Sequence, residues 1–277
     1  MPKSIYIVGG LSIALIACST IAQPNQEIVS TLAETSPAPT ASQSVPQPAN
    51  VCPDGMAHVS GQYCPTVKQE CLVWKDVPCE IKQAKDCRPM AYARCQTYKP
   101  SECLADRVHK DFCIDITEYT KPGETLPMNH ATYNDAVRIC KADGKRTCKE
   151  TEWMFACEGE EMLPYTTGLE RPDGICNIDI PPEKLGPVEN RTDYRMSAEE
   201  TKDCRSPFGV QNLNGNLDEN VDRETSWGSY RNLLKGGHWM PIRARCRPNT
   251  NAHNEDFGAP YVGFRCCQDT SNEKDSQ

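Results

Sequence analysis

Side-chain oxygens are concentrated around one glycine in the second half of the chain. Five residues around Gly215 supply them: Asn212, Asn214, Asn216, Asp218 and Glu219. Because glycine readily adopts positive φ and asparagine tolerates it, such a turn can also direct backbone carbonyls inward. Oxygen ligands of this kind suit a hard cation such as Ca2+. The pattern therefore indicates a calcium-binding turn, and an ordinary surface turn between two strands is the alternative.

The other side chains that could do chemistry show weaker patterns. The histidines have no spacing typical of metal ligands; they are His58, His109, His130, His238 and His253. Ser206 and Ser229 lack a nucleophile-elbow motif. No Cys-x2-Cys pair is followed by a matching second pair, which disfavours zinc. His238 could act as a general base near Glu219 or Asp256, and a hydrogen-bonded structural role is the alternative.

Periodicity and capping patterns predict the elements that lie around these residues. Alternating apolar positions over residues 108–120 predict a strand. Thr132 with Asp135 forms a capping-box pattern, which predicts a helix over residues 131–143 that ends at Gly144. The predicted buried face of this helix consists of Tyr133, Ala136, Val137 and Cys140.

A second, shorter helix is predicted over residues 150–158. Glu150 and Glu152 favour its N-terminus because their charges complement the helix dipole, and Gly159 is expected to end it. The residues predicted to point inward from this helix are Trp153, Ala156 and Cys157.

The N-terminus has the features of a bacterial lipoprotein. Lys3 precedes an apolar run that is too short to span a membrane, so residues 1–17 predict a signal peptide. Residues 15–18 resemble a lipobox, which would make Cys18 the lipidated first residue of the mature protein. An ordinary signal peptide with a chance cysteine is the alternative. Residues 18–50 are rich in Pro, Ser and Thr and are expected to form a disordered tether.

The cysteines predict a fold that depends on disulfides. The chain has 17 cysteines, and an even number remains when Cys18 is set aside. Eight lie between Cys52 and Cys113, and eight more lie in the second half of the chain. An exported location and an even count favour disulfides over a metal cluster. The opening segment, residues 51–112, is predicted to form disulfide-pinned loops without chemistry of their own.

The charge of the chain limits its partners. A formal net charge of −8 and a pI of about 5.3 disfavour nucleic acid. A local basic stretch contains Arg231, Lys235, Arg243, Arg245 and Arg247. We interpret these side chains as ion-pair partners of acidic neighbours in a loop-rich fold.

Five motifs resemble the formylglycine-generating enzyme family, also called the sulfatase-modifying factor family. Residues 212–219 are similar to its Asn-hydrophobic-x-Gly-Asn-x-x-Glu signature. The other motifs are Gly144-Lys145-Arg146, Glu152-Trp153 with Ala156-Cys157, Gly236-Gly237-His238-Trp239 and Gly263-Phe264-Arg265. The resemblance implies an α+β, C-type-lectin-like fold over residues 51–268 that is loop-rich and disulfide-stapled. We expect few short helices, small antiparallel sheets and a disordered tail over residues 269–277.

The resemblance also implies structural calcium and a set of disulfides. The calcium ligands would be Asn212, Gly215, Leu217 and Glu219, and a second site would use Asn177 and Ile178. The carboxylate of the second site would come from Asp179 or Asp193. The implied disulfides are Cys140–Cys266 and Cys157–Cys246, and with these two the extra cysteines could pair as Cys148–Cys267 and Cys176–Cys204.

The segment that carries catalysis in this family is different here. In formylglycine-generating enzymes a Cys-x4-Cys pair binds Cu(I), activates O2 and oxidises a cysteine of the substrate. Residues 238–246 contain a single cysteine, Cys246, which aligns with a structural cysteine of the family. His238 stands where the family has serine. Copper chemistry is therefore not expected.

We therefore expect a cell-envelope lipoprotein that binds or scaffolds a peptide, protein or glycan and does not bind nucleic acid. The predicted binding groove consists of His238, Trp239, Arg243, Arg245 and Asn254. Lipid on Cys18 would anchor the protein to a membrane. Ser19 favours the outer membrane, with the domain facing the periplasm or the cell surface.

Two alternatives to this function are kept. A divergent formylglycine-generating oxidoreductase would act on a sulfatase cysteine, and it would require a reactive thiol. Cys246 is the candidate thiol, and His238 is a weaker candidate for a catalytic role. A purely structural wall protein, in contrast, would have no pocket at the predicted groove.

Overall fold

The computed structural model describes residues 51–79, 87–89, 93–187, 192–226 and 228–270. The predicted signal peptide, the lipidation site at Cys18 and the tether lie outside these residues. Among the described residues, no helix is both long enough and apolar enough to cross a lipid bilayer.

Short strands and two α-helices form the described part of the fold, with long connecting loops between them. The strands are β1 (Met56–Tyr63), β2 (Val67–Lys68), β3 (Cys71–Trp74), β4 (Cys95–Tyr98), β5 (Glu102–Cys103), β6 (Val108–Asp115), β7 (Arg146–Thr147), β8 (Asp218–Asp222), β9 (Asn232–Lys235), β10 (Asn249–Thr250), β11 (Val262–Gly263) and β12 (Cys266–Asp269). The helices are α1 (Tyr133–Ala142), α2 (Glu150–Glu158) and a 3-10 turn at Pro182–Lys184.

Two four-stranded sheets organise these elements. The first has the order β1-β6-β12-β7 and is antiparallel throughout. The second has the order β10-β9-β8-β11, and its β8–β11 pair is parallel rather than antiparallel as expected. The opening segment also contains two small ladders, β2 with β5 and β3 with β4. This segment is therefore built of paired strands as well as the predicted loops.

The first predicted helix forms, with shorter bounds. Thr132 is the N-cap of α1, and the capping box with Asp135 is present. Val137, which was expected on the buried face, is 37% exposed. The buried stripe runs through Tyr133, Ala136 and Cys140, and the spacing of a helix leaves Val137 at its edge. The strand predicted to reach residue 120 ends at Asp115.

The second predicted helix, α2, has the expected bounds and lies in the centre of the core. Trp153, Phe155 and Cys157 are fully buried, and most of the remaining residues of α2 are buried too. The surrounding core includes Val59, Phe112, Ile114, Val210, Leu213, Val221 and Leu233. Because β1, β6, β8 and β9 supply five of these residues, and the loop before β8 supplies Val210 and Leu213, α2 connects the two sheets.

Eight disulfides crosslink the described residues. In the opening segment and β6 they are Cys52–Cys113, Cys64–Cys103, Cys71–Cys95 and Cys79–Cys87. The other four are Cys140–Cys266, Cys148–Cys267, Cys157–Cys246 and Cys176–Cys204, the pairs that the family resemblance implied. Crosslinks over long sequence separations restrict the unfolded chain most, which compensates for a core that contains few large apolar residues.

The domain continues two residues beyond the predicted boundary at residue 268. Asp269 is the last residue of β12 and lies opposite Phe112 of β6. The Thr270 hydroxyl donates to Asp111 Oδ2 at 3.1 Å, and Thr270 is fully buried. Pairing with β6 therefore fixes these two residues, and the remainder of the predicted tail lies outside the described residues.

Candidate functional site

The asparagine-rich turn lies directly before β8, in the interior of the protein. Asn212, Gly215 and Asn216 all have positive φ, which explains why glycine and asparagine occupy these positions. A Cβ atom added to Gly215 would lie 2.3 Å from the Asn177 carbonyl oxygen, so a side chain cannot be accommodated there. The turn is therefore a buried packing element, and neither a surface turn nor an open loop.

The turn is organised around the carboxylate of Glu118. Glu118 Oε2 accepts hydrogen bonds from the side-chain amides of Asn212 at 3.1 Å and Asn216 at 2.8 Å. Its Oε1 accepts from the Leu217 backbone N–H at 3.2 Å. Burial, with the nearby Glu219 charge, raises the pKa of Glu118 to about 8. The turn thus presents N–H donors to a carboxyl group, where the sequence predicted oxygens presented to a cation.

Glu219 is bound by a buried arginine. Arg265 Nε lies 2.7 Å from Glu219 Oε2, and Arg265 Nη2 lies 2.7 Å from Oε1. Trp153 Nε1 donates to the same carboxylate at 2.8 Å. Both charged side chains of this pair are fully buried. The guanidinium therefore supplies the positive charge that the sequence analysis assigned to calcium.

The first predicted calcium site consisted of Asn212, Gly215, Leu217 and Glu219. Asn212 Oδ1 is buried without a hydrogen-bond partner in the described residues, as a cation ligand could be, but the contacts of Glu219 do not fit calcium. Both oxygens of Glu219 accept hydrogen bonds, and a divalent cation beside Arg265 would be repelled. Asn214 is turned away from the turn, since its Oδ1 accepts from the Thr166 N–H. No mechanism in this protein is therefore assigned to calcium at Glu219.

The second predicted calcium site fits poorly as well. Asn177 Oδ1 is buried without a hydrogen-bond partner in the described residues, as a cation ligand could be. However, Asp179 pairs with Arg171 and Arg94, and Asp193 pairs with its neighbour Arg195. Across the described ranges, no cluster of three His, Cys, Asp or Glu side chains could hold a metal. A divalent ion at Asn177 and Ile178 would lack an available carboxylate.

A cavity of about 350 Å³ lies beside the second sheet, at the position of the predicted groove. Its lining consists of Asp218, Leu234, Gly236, Gly237, His238, Ile242, Arg243, Arg245, Pro248, Asn249, Thr250, Asn251, Ala252, His253 and Tyr261. Of the predicted groove residues, His238, Arg243 and Arg245 belong to this lining. Trp239 and Asn254 do not. Trp239 is fully buried against Leu185 and Leu217, and Asn254 is exposed outside the cavity.

Asp218, His238 and Tyr261 form one side of the cavity. Asp218 Oδ1 accepts from the Gly237 N–H at 3.0 Å, and its Oδ2 lies 3.8 Å from His238 Nε2. His238 Nδ1 accepts from the Met240 N–H, and the imidazole ring packs on Tyr261 with centroids 4.3 Å apart. Burial raises the pKa of Asp218 to about 7, although the Arg243 charge opposes this shift.

Two arginines also belong to the lining. Arg243 donates to the Asn249 carbonyl and to the Thr250 hydroxyl, which ties it to β10. Arg245 Nη1 donates to the Tyr98 hydroxyl, and its guanidinium lies over the Tyr98 ring at 5.6 Å from the centroid. Tyr98 is the last residue of β4, so the cysteine-rich opening segment helps to position the cavity.

The basic stretch pairs with acidic neighbours only in part, contrary to expectation. Arg231 pairs with Glu255, and Arg247 pairs with Glu158. Within the described ranges, no carboxylate lies within 4.0 Å of the charged nitrogens of Lys235 or Arg245. Because Lys235 and Arg245 point into the protein, their positive charges lie away from its surface.

Lys235 is fully buried beneath the cavity. Its Nζ donates to the Arg247 carbonyl at 2.7 Å and lies over the Trp153 ring. Burial lowers the pKa of Lys235 to about 7, and the charges of Glu150 and Glu158 only partly oppose this. Lys235 lies opposite Glu219 in the sheet, so β8 and β9 bring two buried charges to adjacent positions.

The candidate thiol of the sequence analysis is not free. Cys246 is fully buried and forms a disulfide with Cys157 of α2. His238, the other catalytic candidate, has no free thiol to act on among the described residues, because every described cysteine is in a disulfide. A Cu(I) site needs thiolate ligands, and the residues here do not fit one.

Sequence reasoning missed several residues of this site. Asp218 was counted with the calcium turn, although alternation along a strand places it on the face opposite to Glu219. Tyr261 and residues 248–253 carried no recognisable signal. Glu118 lies within the strand predicted over residues 108–120, and its central position in the turn could not be read from a residue so distant in sequence.

A family model described as the sulfatase-modifying factor enzyme 1-like domain matches residues 83–270, well over half of the chain. The chain belongs to this family. Formylglycine-generating enzyme of Mus musculus is 27% identical over 166 residues, which are 52% of this chain and 44% of the relative. The inactive C-alpha-formylglycine-generating enzyme 2 of Mus musculus is 25% identical over 158 residues, 54% of this chain and 51% of the relative.

The chain spans about half the length of the curated relatives it matches. Among solved structures, CarF superposes with a TM-score of 0.51 at 14% identity, covering 78% of this chain and 98% of CarF. The expected α+β, C-type-lectin-like fold of the family is thereby confirmed.

Replacing Arg265 alone should destabilise the protein more than replacing Arg265 and Glu219 together. We expect Arg265→Met to lower the free energy of unfolding by about 3–5 kcal/mol, because it leaves the Glu219 charge buried and unpaired. The double variant Arg265→Met with Glu219→Gln should lose less, since the neutral amide still accepts from Trp153. Urea unfolding of the oxidised protein measures both; a double variant less stable than Arg265→Met would contradict this account.

Calcium should not stabilise the domain. A site with a Kd of about 10 µM would add about 2.7 kcal/mol at roughly 1 mM Ca2+. We expect the same melting temperature in calcium and in excess chelator, because Glu219 is already bound by Arg265. Calorimetry under the two conditions makes the comparison, and a calcium-dependent rise would restore the sequence prediction.

Because Lys235 is buried, the stability of the protein should vary with pH in the alkaline range. Because the pKa of Lys235 is lowered in the folded state, the unfolded state binds more protons between pH 7 and the usual lysine pKa. The free energy of unfolding should therefore rise with pH across this range, by up to about 1.4 kcal/mol per pH unit. Urea unfolding of the wild type and Lys235→Met at several pH values tests this, and parallel pH profiles would refute it.

Proposed function

We propose that this protein is a lipid-anchored protein of the cell envelope whose family domain binds a ligand and does not oxidise cysteine. In this proposal, Cys18 carries the lipid and the tether links the membrane to the domain. The partner is a peptide, protein or glycan of the envelope. The cavity beside the second sheet is the binding site.

The state of Cys246 is the observation that carries this proposal. Oxidation in the family requires two thiolates, whereas residues 238–246 contain one cysteine, and its sulfur is bonded to Cys157. Breaking this disulfide would release one buried thiol from α2 and one from the adjoining loop. The disulfide therefore serves the core, and the side chains left at the cavity are basic, amide and aromatic groups.

The size and lining of the cavity support binding. About 350 Å³ lies at the small end of ligand cavities, and a mixture of apolar and convergent polar groups is typical of them. A purely structural wall protein was expected to lack a pocket here, so the cavity counts against that alternative. The relative named as inactive also supports a role without catalysis in this family.

A thiol count tests the proposal. The full-length protein is denatured without reductant, alkylated with iodoacetamide and analysed by mass spectrometry, with a reduced sample as the control for complete labelling. We expect no labelling at any cysteine of the eight disulfides. Labelling of Cys246 that Cu(I) prevents, together with conversion of cysteine to formylglycine in a sulfatase peptide, would establish the divergent oxidoreductase instead.

A further inference from the structure

We propose that the cavity binds an acidic saccharide and that Arg245 receives the carboxylate of this ligand. The inference rests on the proposed function, because it names the ligand class of the same cavity. It follows from the lack of a carboxylate beside Arg245 in the described residues, from the charges that face the cavity and from the polar groups of its lining.

The guanidinium of Arg245 is held in place but not neutralised. In the part of the chain that the structure describes, no carboxylate oxygen lies within 4.0 Å of it, and its buried Nε has no hydrogen-bond partner. Its contacts are the hydroxyl and the ring of Tyr98, which orient the group without balancing its charge. Nε is enclosed by protein and Nη1 is bound to Tyr98, so Nη2 is the donor left for a ligand. A charge-assisted hydrogen bond from a guanidinium suits a carboxylate.

The local charge of the cavity opposes that of the whole protein. Arg243 and Arg245 face the cavity, and Asp218 is its single acidic group among the lining residues. The chain as a whole carries a formal net charge of −8. The Arg245 guanidinium, which has no carboxylate within 4.0 Å among the described residues, attracts anions to this concave site. A ligand with one negative charge is therefore favoured over a neutral or cationic one.

Other polar groups of the lining match hydroxyl groups. Asn249, Thr250 and Asn251 carry amide and hydroxyl groups, and Asp218 adds a carboxyl group. The Thr250 hydroxyl accepts from Arg243 and the Asn249 amide donates to Glu150, so the Asn251 amide and the Thr250 hydroxyl proton are the groups left for a ligand. A sugar acid has the two features that complement this lining, which are a carboxylate at one end and several hydroxyls around a ring. The ring of Tyr261 adds an apolar surface beside them.

Isothermal titration of the full-length protein with sodium galacturonate and with galactose tests this inference. The two sugars share a ring and differ in the carboxylate, so galactose is the matched neutral probe. We expect galacturonate to bind roughly ten-fold or more tightly than galactose, which is the effect of one charge-assisted hydrogen bond. N-acetyl-alanyl-alanine, a carboxylate on a peptide, is titrated alongside.

Variants on and off the cavity locate the binding. Arg245→Gln should remove the preference for galacturonate, whereas Arg231→Gln should keep it, because Arg231 is 70% exposed and outside the lining. Asn251→Asp places a negative charge in the cavity without touching Tyr98. It should weaken galacturonate several-fold and leave galactose unchanged, with Asn251→Gln as its neutral control. If Arg245→Gln fails to fold, the comparison of Asn251→Asp with Asn251→Gln tests the inference without it.

Four results would overturn the inference. They are equal affinity for galacturonate and galactose, no effect of Asn251→Asp, binding of the peptide without binding of galacturonate, and absence of all binding. These failures differ from failure of the proposed function, which would appear as a labelled Cys246. A protein with every cysteine paired and no affinity for the sugar acid would lose this ligand but keep its non-catalytic assignment.

Discussion

The buried ion pair between Glu219 and Arg265 is the interaction on which this structure depends. Glu219 lies on β8, Arg265 lies between β11 and β12, and Trp153 of α2 donates to the same carboxylate. Two fully buried charges are costly unless geometry and additional hydrogen bonds compensate. Arg265 meets this requirement by also donating to the carbonyls of Asp115, Ile116 and Gln211. One guanidinium thereby joins both sheets, the central helix and the asparagine-rich turn.

The position of the cavity follows from this pair. Neighbouring residues on a strand point to opposite faces, so fixing Glu219 in the interior directs Asp218 to the cavity. The Gly237 N–H then holds Asp218 at the end of β9, where His238 and Tyr261 pack beside it. The buried Glu219–Arg265 pair therefore also determines where one part of the cavity lining lies. Elsewhere in the lining, Tyr98 of the opening segment orients Arg245.

Cysteine serves this member of the family in a different way from its catalytic relatives. A thiolate that binds copper must stay reduced and accessible, whereas Cys246 is buried and covalently bonded to α2. Disulfides stabilise a chain that is poor in large apolar residues, and they leave the groove to side chains with other chemistry. The fold is retained while the site changes, which is why the family alone does not decide the function.

The sequence by itself determined the family fold, both helices and four disulfide pairs, because these depend on local patterns and on ordered motifs. Thr132 and Gly159 mark helix ends through short-range geometry that needs no tertiary context. Only the tertiary structure decided what the turn binds. An asparagine amide can present its oxygen or its nitrogen, and the distant Glu118 selected the nitrogen. Likewise, Trp239 is buried against residues far along the chain and does not line the groove. Arg245 faces the groove without a carboxylate beside it.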